Sequence, residues 1–173
     1  MTDKKKKAQP SLRREMLSLL LKITSIVVIF LLLLVFFFGI VRYQDASMYP
    51  AIKDGDLVVF QRYTSDRYLP QDVVALRFEE KTRFLRVVAT AGDTVNVEEG
   101  RLVINGAPQQ ETGITERTDR YQEGIDFPLA VPEGQVFVLG DNRTESPDSR
   151  IFGCVEIKDT LGKVMMIIRK RGI

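Results

Sequence analysis

The stretch Thr94-Val95-Asn96-Val97-Glu98-Glu99-Gly100-Arg101-Leu102-Val103-Ile104-Asn105-Gly106 decides the fold class. Two short runs, Thr94 to Val97 and Arg101 to Ile104, have the alternating or β-branched make-up of half-buried strands. Glu98-Glu99-Gly100 joins them as a hairpin, and Asn105-Gly106 supplies the next turn. Outward from this hairpin the same pattern recurs. Leu57 to Arg62, Asp72 to Phe78, Phe84 to Ala89, Gln135 to Leu139 and Leu161 to Arg169 are further candidate strands, broken by Gly, Pro, Asn and Asp. A helix after residue 41 is not supported beyond a turn or two. The polar stretch Gln109 to Glu123 lacks periodicity and reads as a surface excursion of the mobile kind.

Before this β region the pattern is different. Ile23 to Val41 is 19 residues without a charge, and at 1.5 Å per residue a helix over it spans about 28 Å, close to a bilayer's hydrocarbon core. An apolar run of this kind also begins a cleavable secretory signal. Against that, the run is long, and Arg42-Tyr43-Gln44-Asp45-Ala46 lacks small residues at both positions of an Ala-x-Ala site. Lys4, Lys5, Lys6, Lys7, Arg13, Arg14 and Lys22 precede the run and only Arg42 follows closely. The positive-inside rule then places the N-terminus in the cytoplasm and the C-terminus across the membrane. The expected organisation is a cytoplasmic basic tail at 1–22, a transmembrane helix at 23–41 that meets membrane lipid, and one extracytoplasmic β domain at 42–173 in a single-pass protein of the cell membrane.

Composition narrows the chemistry. The chain of 173 residues has a net charge of +2, and with its basic start set aside the remainder is acidic on balance. That argues against nucleic acid as a partner. Cys154 is the one cysteine, so no intramolecular disulfide forms. Histidine is absent, which excludes Ser-His-Asp and Cys-His catalysis and most zinc sites. No cofactor or metal is expected.

Three stretches carry the remaining polar chemistry. Asp45-Ala46-Ser47-Met48-Tyr49-Pro50-Ala51-Ile52 begins four residues after the apolar run. A serine there sits at the membrane surface, though taken alone it reads as a turn or cap residue. Phe84 to Val95 is a strand running into a turn. Gly140-Asp141-Asn142-Arg143-Thr144-Glu145-Ser146-Pro147-Asp148-Ser149-Arg150-Ile151-Phe152-Gly153 follows an apolar strand. Its two arginines among two aspartates look like a network bracing a loop or a site.

The Ser-Met-x-Pro step, the strand ending in Ala-Gly-Asp-x-Val, and the full GDNRTESPDSRIFG stretch follow one another as in type I signal peptidases, the membrane-bound serine endopeptidases that remove signal peptides from exported proteins. The chain resembles that family over nearly its whole length. The resemblance implies a mainly β fold of coiled, barrel-like sheets behind one N-terminal transmembrane helix. LexA-type self-cleaving repressors share the core fold but are soluble and carry a DNA-binding domain that is missing here. Ser47 matches the family's nucleophile, and Met48 and Pro50 match the residues that shape the turn around it. Ser146 matches the serine that orients the general base. Asp141, Asn142, Arg143, Asp148 and Arg150 match the bracing network.

Two positions depart from the family's pattern. The lysine that takes the serine's proton lies directly before the arginine matched by Arg86, and that position is Leu85, which cannot accept a proton. Lys81 shares its strand parity but lies four residues away, about 13 Å in a strand. Arg83 is nearer but keeps its proton in proteins. Histidine, the replacement in some relatives, is absent. Asp45 stands where relatives often place a small residue or a serine that helps hold the oxyanion, and a carboxylate there repels that developing charge.

Two functions follow. One is an active signal peptidase, acting on signal peptides or membrane-tethered preproteins with an unconventional base. The other is a non-catalytic relative that binds pilins or other secreted proteins and assists pilus assembly, as altered signal-peptidase-like proteins do in some Gram-positive bacteria. The compact size and the Arg171-Gly172-Ile173 ending resemble those proteins. In both, the ligand is an extended segment added alongside the head's strands. A plain membrane-anchored structural domain is the third reading.

Overall fold

A computed structural model describes residues 12–62 and 67–169. The lysine run at 4 to 7 and the Arg-Gly-Ile ending lie outside the described residues. The chain divides into two units, Met1–Phe37 and Phe38–Ile173.

In the first unit, α1 (Leu12–Phe37) is a 26-residue helix that buries none of its side chains. It contains neither Gly nor Pro, the two residues that most disfavour helix interiors. By length and composition it is able to cross a membrane. The helix does not coincide with the apolar run at 23–41. It begins within the expected basic tail, and Phe38 to Val41 leave it to form a strand. Met16 to Phe37 still offers 22 residues, about 33 Å of helix, with the long stem of Lys22 able to carry its charge towards water.

The second unit is mainly β. Its elements are β1 (Phe38–Arg42), β2 (Leu57–Gln61), β3 (Val73–Phe78), β4 (Lys81–Thr90), β5 (Thr94–Glu98), β6 (Arg101–Ile104), β7 (Ala107–Pro108), β8 (Leu129–Ala130), β9 (Gln135–Leu139), the single turn α2 (Ser149–Phe152), β10 (Val155–Glu156) and β11 (Thr160–Ile168), with a 3-10 turn at Ile157–Asp159. A seven-stranded sheet has the order β1-β2-β11-β3-β4-β9-β10, and a four-stranded one the order β7-β6-β5-β8.

β1 explains why the apolar run is split. It pairs antiparallel with β2 from Phe38↔Gln61 to Arg42↔Leu57, so its backbone groups are satisfied by the sheet rather than by a helix. Gly39 sits opposite Phe60, where any Cβ would overlap the ring. The small sheet is set by its turns. Glu98 pairs with Arg101 and Ile104 with Ala107, around Glu99-Gly100 and Asn105-Gly106, all four at positive φ. That is the geometry favoured for two-residue hairpin loops.

β4 carries the core. Phe84 packs with Tyr43, Met48, Ile52, Val58, Phe60 and Ala75 in one buried cluster. Leu85 and Val87 belong to a second cluster with Tyr68, Val74, Leu76, Val136 and Val138. A register shift between Val87 and Ala89 against β9 lets Val88 and Ala89 enter a third cluster with Val95, Leu102, Val131, Phe137 and Leu139. Each large apolar side chain fully buried in this way contributes about 1.5 to 3 kcal/mol. One face of the β1-β2-β11 end stays bare. Ile40, Leu57, Met166 and Ile168 are exposed there, aligned by the Ile40↔Val59↔Met166 and Leu57↔Ile168 registers.

Candidate functional site

Ser47 lies in the turn that leads out of β1. Tyr49 N–H donates to the Ala46 carbonyl at 3.0 Å and Ile52 N–H to that of Met48 at 2.9 Å. This coil drives Met48 and Ile52 into the first core cluster and leaves Tyr49 and Pro50 exposed. Asp45 shapes the turn as such residues do, by accepting backbone N–H groups just ahead of it. Its Oδ1 takes Ala46 N–H at 2.7 Å and Ser47 N–H at 3.2 Å.

The Ser47 hydroxyl is fully buried and has two partners. It donates to Asp45 Oδ2 at 3.2 Å and stands 3.1 Å from the Tyr43 hydroxyl. The Tyr43 oxygen also accepts Met48 N–H at 2.9 Å. Burial pushes the Tyr43 phenol up to about 12, against the lowering influence of the Ser47 and Met48 hydrogen bonds. It is therefore a phenol at neutral pH, a hydrogen-bond donor and not a base. Asp45 Oδ2 is held in turn by Arg83 Nη1 at 2.8 Å.

Leu85 is wholly buried in the second cluster. It lies on the same face of β4 as Arg83, two residues along, since the β3–β4 register is unbroken from Lys81 to Arg86. The described lysines of the second unit are all engaged or placed elsewhere. Lys53 lies over the Tyr49 ring at 5.7 Å, Lys163 pairs with Asp72 at 2.7 Å, Lys158 pairs with Glu156, and Lys81 is exposed at the start of β4.

The stretch from Gly140 wraps the back of this turn. Asn142 N–H donates to the Ser47 carbonyl at 2.9 Å, and Asn142 Nδ2 to that of Ala46 at 3.3 Å. Asp141 is gripped by Arg86 through both oxygens, at 2.7 and 2.6 Å. Asp148 caps α2 and pairs with the buried Arg150 at 2.9 and 2.8 Å. Arg150 reaches on to the Arg143 carbonyl at 2.7 Å. Ser146 is buried, and its hydroxyl and Arg83 Nε are the two buried side-chain polar atoms among the described residues without a hydrogen-bond partner in the protein. A Cβ on Gly140 would overlap Ser146 and come within 2.6 Å of the Ser47 carbonyl oxygen, so Ser146 is packed directly behind the Ser47 turn.

Several of these partners were not found from the sequence. Arg143 donates to Gly140 O at 2.8 Å and forks onto both oxygens of Glu111, and it also contacts Thr118. Arg150 donates to the Asp119 carbonyl at 3.1 Å and stacks on Tyr121, whose hydroxyl donates to Ser146 O at 3.0 Å. The Gln109 to Glu123 stretch is thus pinned by two buried arginines, not a loose excursion, because a buried guanidinium requires a carboxylate and carbonyls around it. Tyr43 and Arg83 complete the Ser47 network. Tyr43 had one legible signal, an aromatic residue with a polar tip close before a serine turn. Glu111 had none. No grouping of His, Cys, Asp and Glu able to hold a metal occurs among the described residues.

Comparison with known proteins adds a family. The model described as signal peptidase, peptidase S26, matches residues 16–169. Signal peptidase I of Bacillus licheniformis is 34% identical over 132 residues, 69% of this chain and 70% of that protein. Thylakoidal processing peptidase 1 of Arabidopsis thaliana chloroplasts is 33% identical over 132 residues, 68% of this chain but 38% of that protein. The chain spans less than two thirds of the length of the thylakoidal relatives, 20% and 38%. A crystal structure of a signal peptidase I from Enterococcus faecalis is 29% identical, with a TM-score of 0.47 over 57% of this chain and 97% of that one.

Proposed function

This chain belongs to the signal peptidase S26 family, and from that membership we propose that it engages exported preproteins at the outer face of the cell membrane, seating an extended segment beside Ser47 while Leu85 keeps cleavage far below a working peptidase's rate. The observation that carries this reading is the company of the Ser47 hydroxyl. Its partners are a phenol and a carboxylate, and Leu85 fills the position where the family places an amine. Loss of the base in serine peptidases costs roughly 10⁴-fold to 10⁶-fold in rate.

The location draws on two features. The chain is membrane-anchored, with one apolar N-terminal helix, and Arg13 and Arg14 in the first turn of that helix favour a cytoplasmic N-terminus. The bare apolar face formed by Ile40, Leu57, Met166 and Ile168 suits a head that rests against lipid. A preprotein arriving on its own membrane segment meets Ser47 there. Pilins, delivered in that way and held uncut for assembly, fit the same seat, and pilin and sortase genes beside this one would favour them.

The test is a preprotein bearing an Ala-x-Ala site and a photo-crosslinker, offered to the unaltered protein, Ser47→Ala and Leu85→Lys. Crosslinks to all three are expected, with cleavage by Leu85→Lys alone. Cleavage by the unaltered protein that Ser47→Ala abolishes ends the non-cleaving half of the reading. Absence of any crosslink ends the whole.

A further inference from the structure

Four donors converge on the Asp45 carboxylate. Ala46 N–H and Ser47 N–H reach Oδ1 at 2.7 and 3.2 Å, and the Ser47 hydroxyl and Arg83 Nη1 reach Oδ2 at 3.2 and 2.8 Å. Backbone N–H groups and a cation, preorganised beside an attacking hydroxyl, are what stabilises the oxyanion of an acyl-transfer intermediate. Here those donors are already occupied by an anion of the chain itself.

The pair is not a loose surface contact. The Arg83 and Asp45 side chains are 14% and 24% exposed, and the Arg83 guanidinium lies over the Phe78 ring at 5.6 Å. Arg83 Nε is buried without a partner, so it is the outer nitrogens, one on Asp45 and one 3.7 Å from Glu79, that fix where the group sits. Two consequences follow for Ser47. Its proton is donated to Asp45. Its own N–H is spent on a carboxylate that would repel charge developing on a substrate carbonyl.

We propose that Asp45 is an internal anion seated where the charge of a tetrahedral intermediate would develop, that Arg83 holds it there, and that the pair sets the reactivity of Ser47 independently of position 85. Asp45 and Arg83 are positioning residues, acting through Ser47. The inference rests on the reading that Ser47 faces a preprotein segment, and it names a second determinant in that same site.

The experiment uses the full chain in proteoliposomes and a preprotein with an Ala-x-Ala site. It compares Leu85→Lys with the double variants Leu85→Lys/Asp45→Ala and Leu85→Lys/Asp45→Asn, each with a Ser47→Ala control. Removing Asp45 is expected to raise kcat about tenfold or more over Leu85→Lys alone, with KM within about twofold, a change of about 1.4 kcal/mol in the barrier. Asparagine, which keeps the acceptor oxygen without the charge, is expected to fall between. Equal or lower kcat in either double variant that still melts cooperatively overturns the proposal. A second readout needs no preprotein: labelling of Ser47 by a fluorophosphonate, which displaces fluoride at phosphorus. Faster labelling without Asp45 upholds the inference even if no preprotein crosslinks, which would sink the functional reading alone. Labelling that is unchanged overturns the inference even where preprotein binds.

Discussion

Arg86 grips Asp141 through both carboxylate oxygens, at 2.7 and 2.6 Å, and this fork ties β4 to the loop whose next N–H holds the Ser47 carbonyl at 2.9 Å. Asp141 is 3% exposed and Arg86 20%, so Arg86→Met strands a buried carboxylate. Breaking one side of a buried pair costs about 3 to 5 kcal/mol, and the lower end applies because Arg86 is partly solvated. Urea unfolding is expected to show that loss, together with faster hydrogen exchange at Asn142.

Gly140 has no room for a methyl group. A Cβ there overlaps Ser146 and presses on the Ser47 carbonyl oxygen. Overpacking of this kind costs typically about 1 to 3 kcal/mol. Gly140→Ala is therefore expected to lower the melting temperature and, by displacing the Ser47 turn, to weaken preprotein crosslinking. A variant that melts like the unaltered protein would show that the turn yields freely.

Arg143 is 1% exposed and leans on Glu111, 32 positions earlier. Glu111→Ala leaves that guanidinium buried with carbonyl and hydroxyl partners only. A loss of about 3 kcal/mol or more is expected by equilibrium unfolding, with Glu111→Gln costing less because it keeps an acceptor. Protease cutting within 109–123 is expected to rise in step, since Glu111 anchors that stretch.

Tyr43 gives a signature at high pH. Its folded value is raised to about 12 by burial, while an unfolded tyrosine titrates near about 10. Between those values the unfolded chain surrenders the proton and the folded chain keeps it. The contribution to stability is therefore full below about pH 10 and is lost as pH rises towards about 12. Phenolate absorbance is expected to lose its latest-titrating component in Tyr43→Phe, while Tyr121, whose phenol burial also raises, keeps its own delayed titration. Disappearance of a different component would mean that Tyr43 is not the buried phenol.

What was legible beforehand was local. Both tight turns were, Asn105-Gly106 because its residue types carry their backbone geometry and the first through Gly100, although Glu98, expected in that loop, belongs to β5. So were the longer strands, within a residue or two at the ends except for β4, which begins three residues early at Lys81. β1 was hidden because Phe38 to Val41 are as apolar as the helix before them, and only Gly39 hinted at a change. The two-residue strands β7, β8 and β10 are too short to show a period. The partners of Arg143 and Arg150 come from a polar stretch with no pattern of its own, drawn in by burial that only the folded chain creates. Arg83 likewise joins the Ser47 network, through Asp45, from a strand position where nothing in the sequence points at that carboxylate.

With Leu85 in place of the family's amine, Ser47 is left hydrogen-bonded to an arginine-paired carboxylate and a phenol, and the decisive measurement is the rate at which the unaltered full chain cleaves a preprotein in proteoliposomes, set against Ser47→Ala. Indistinguishable rates are expected. Ser47-dependent cleavage by the unaltered protein would contradict that expectation.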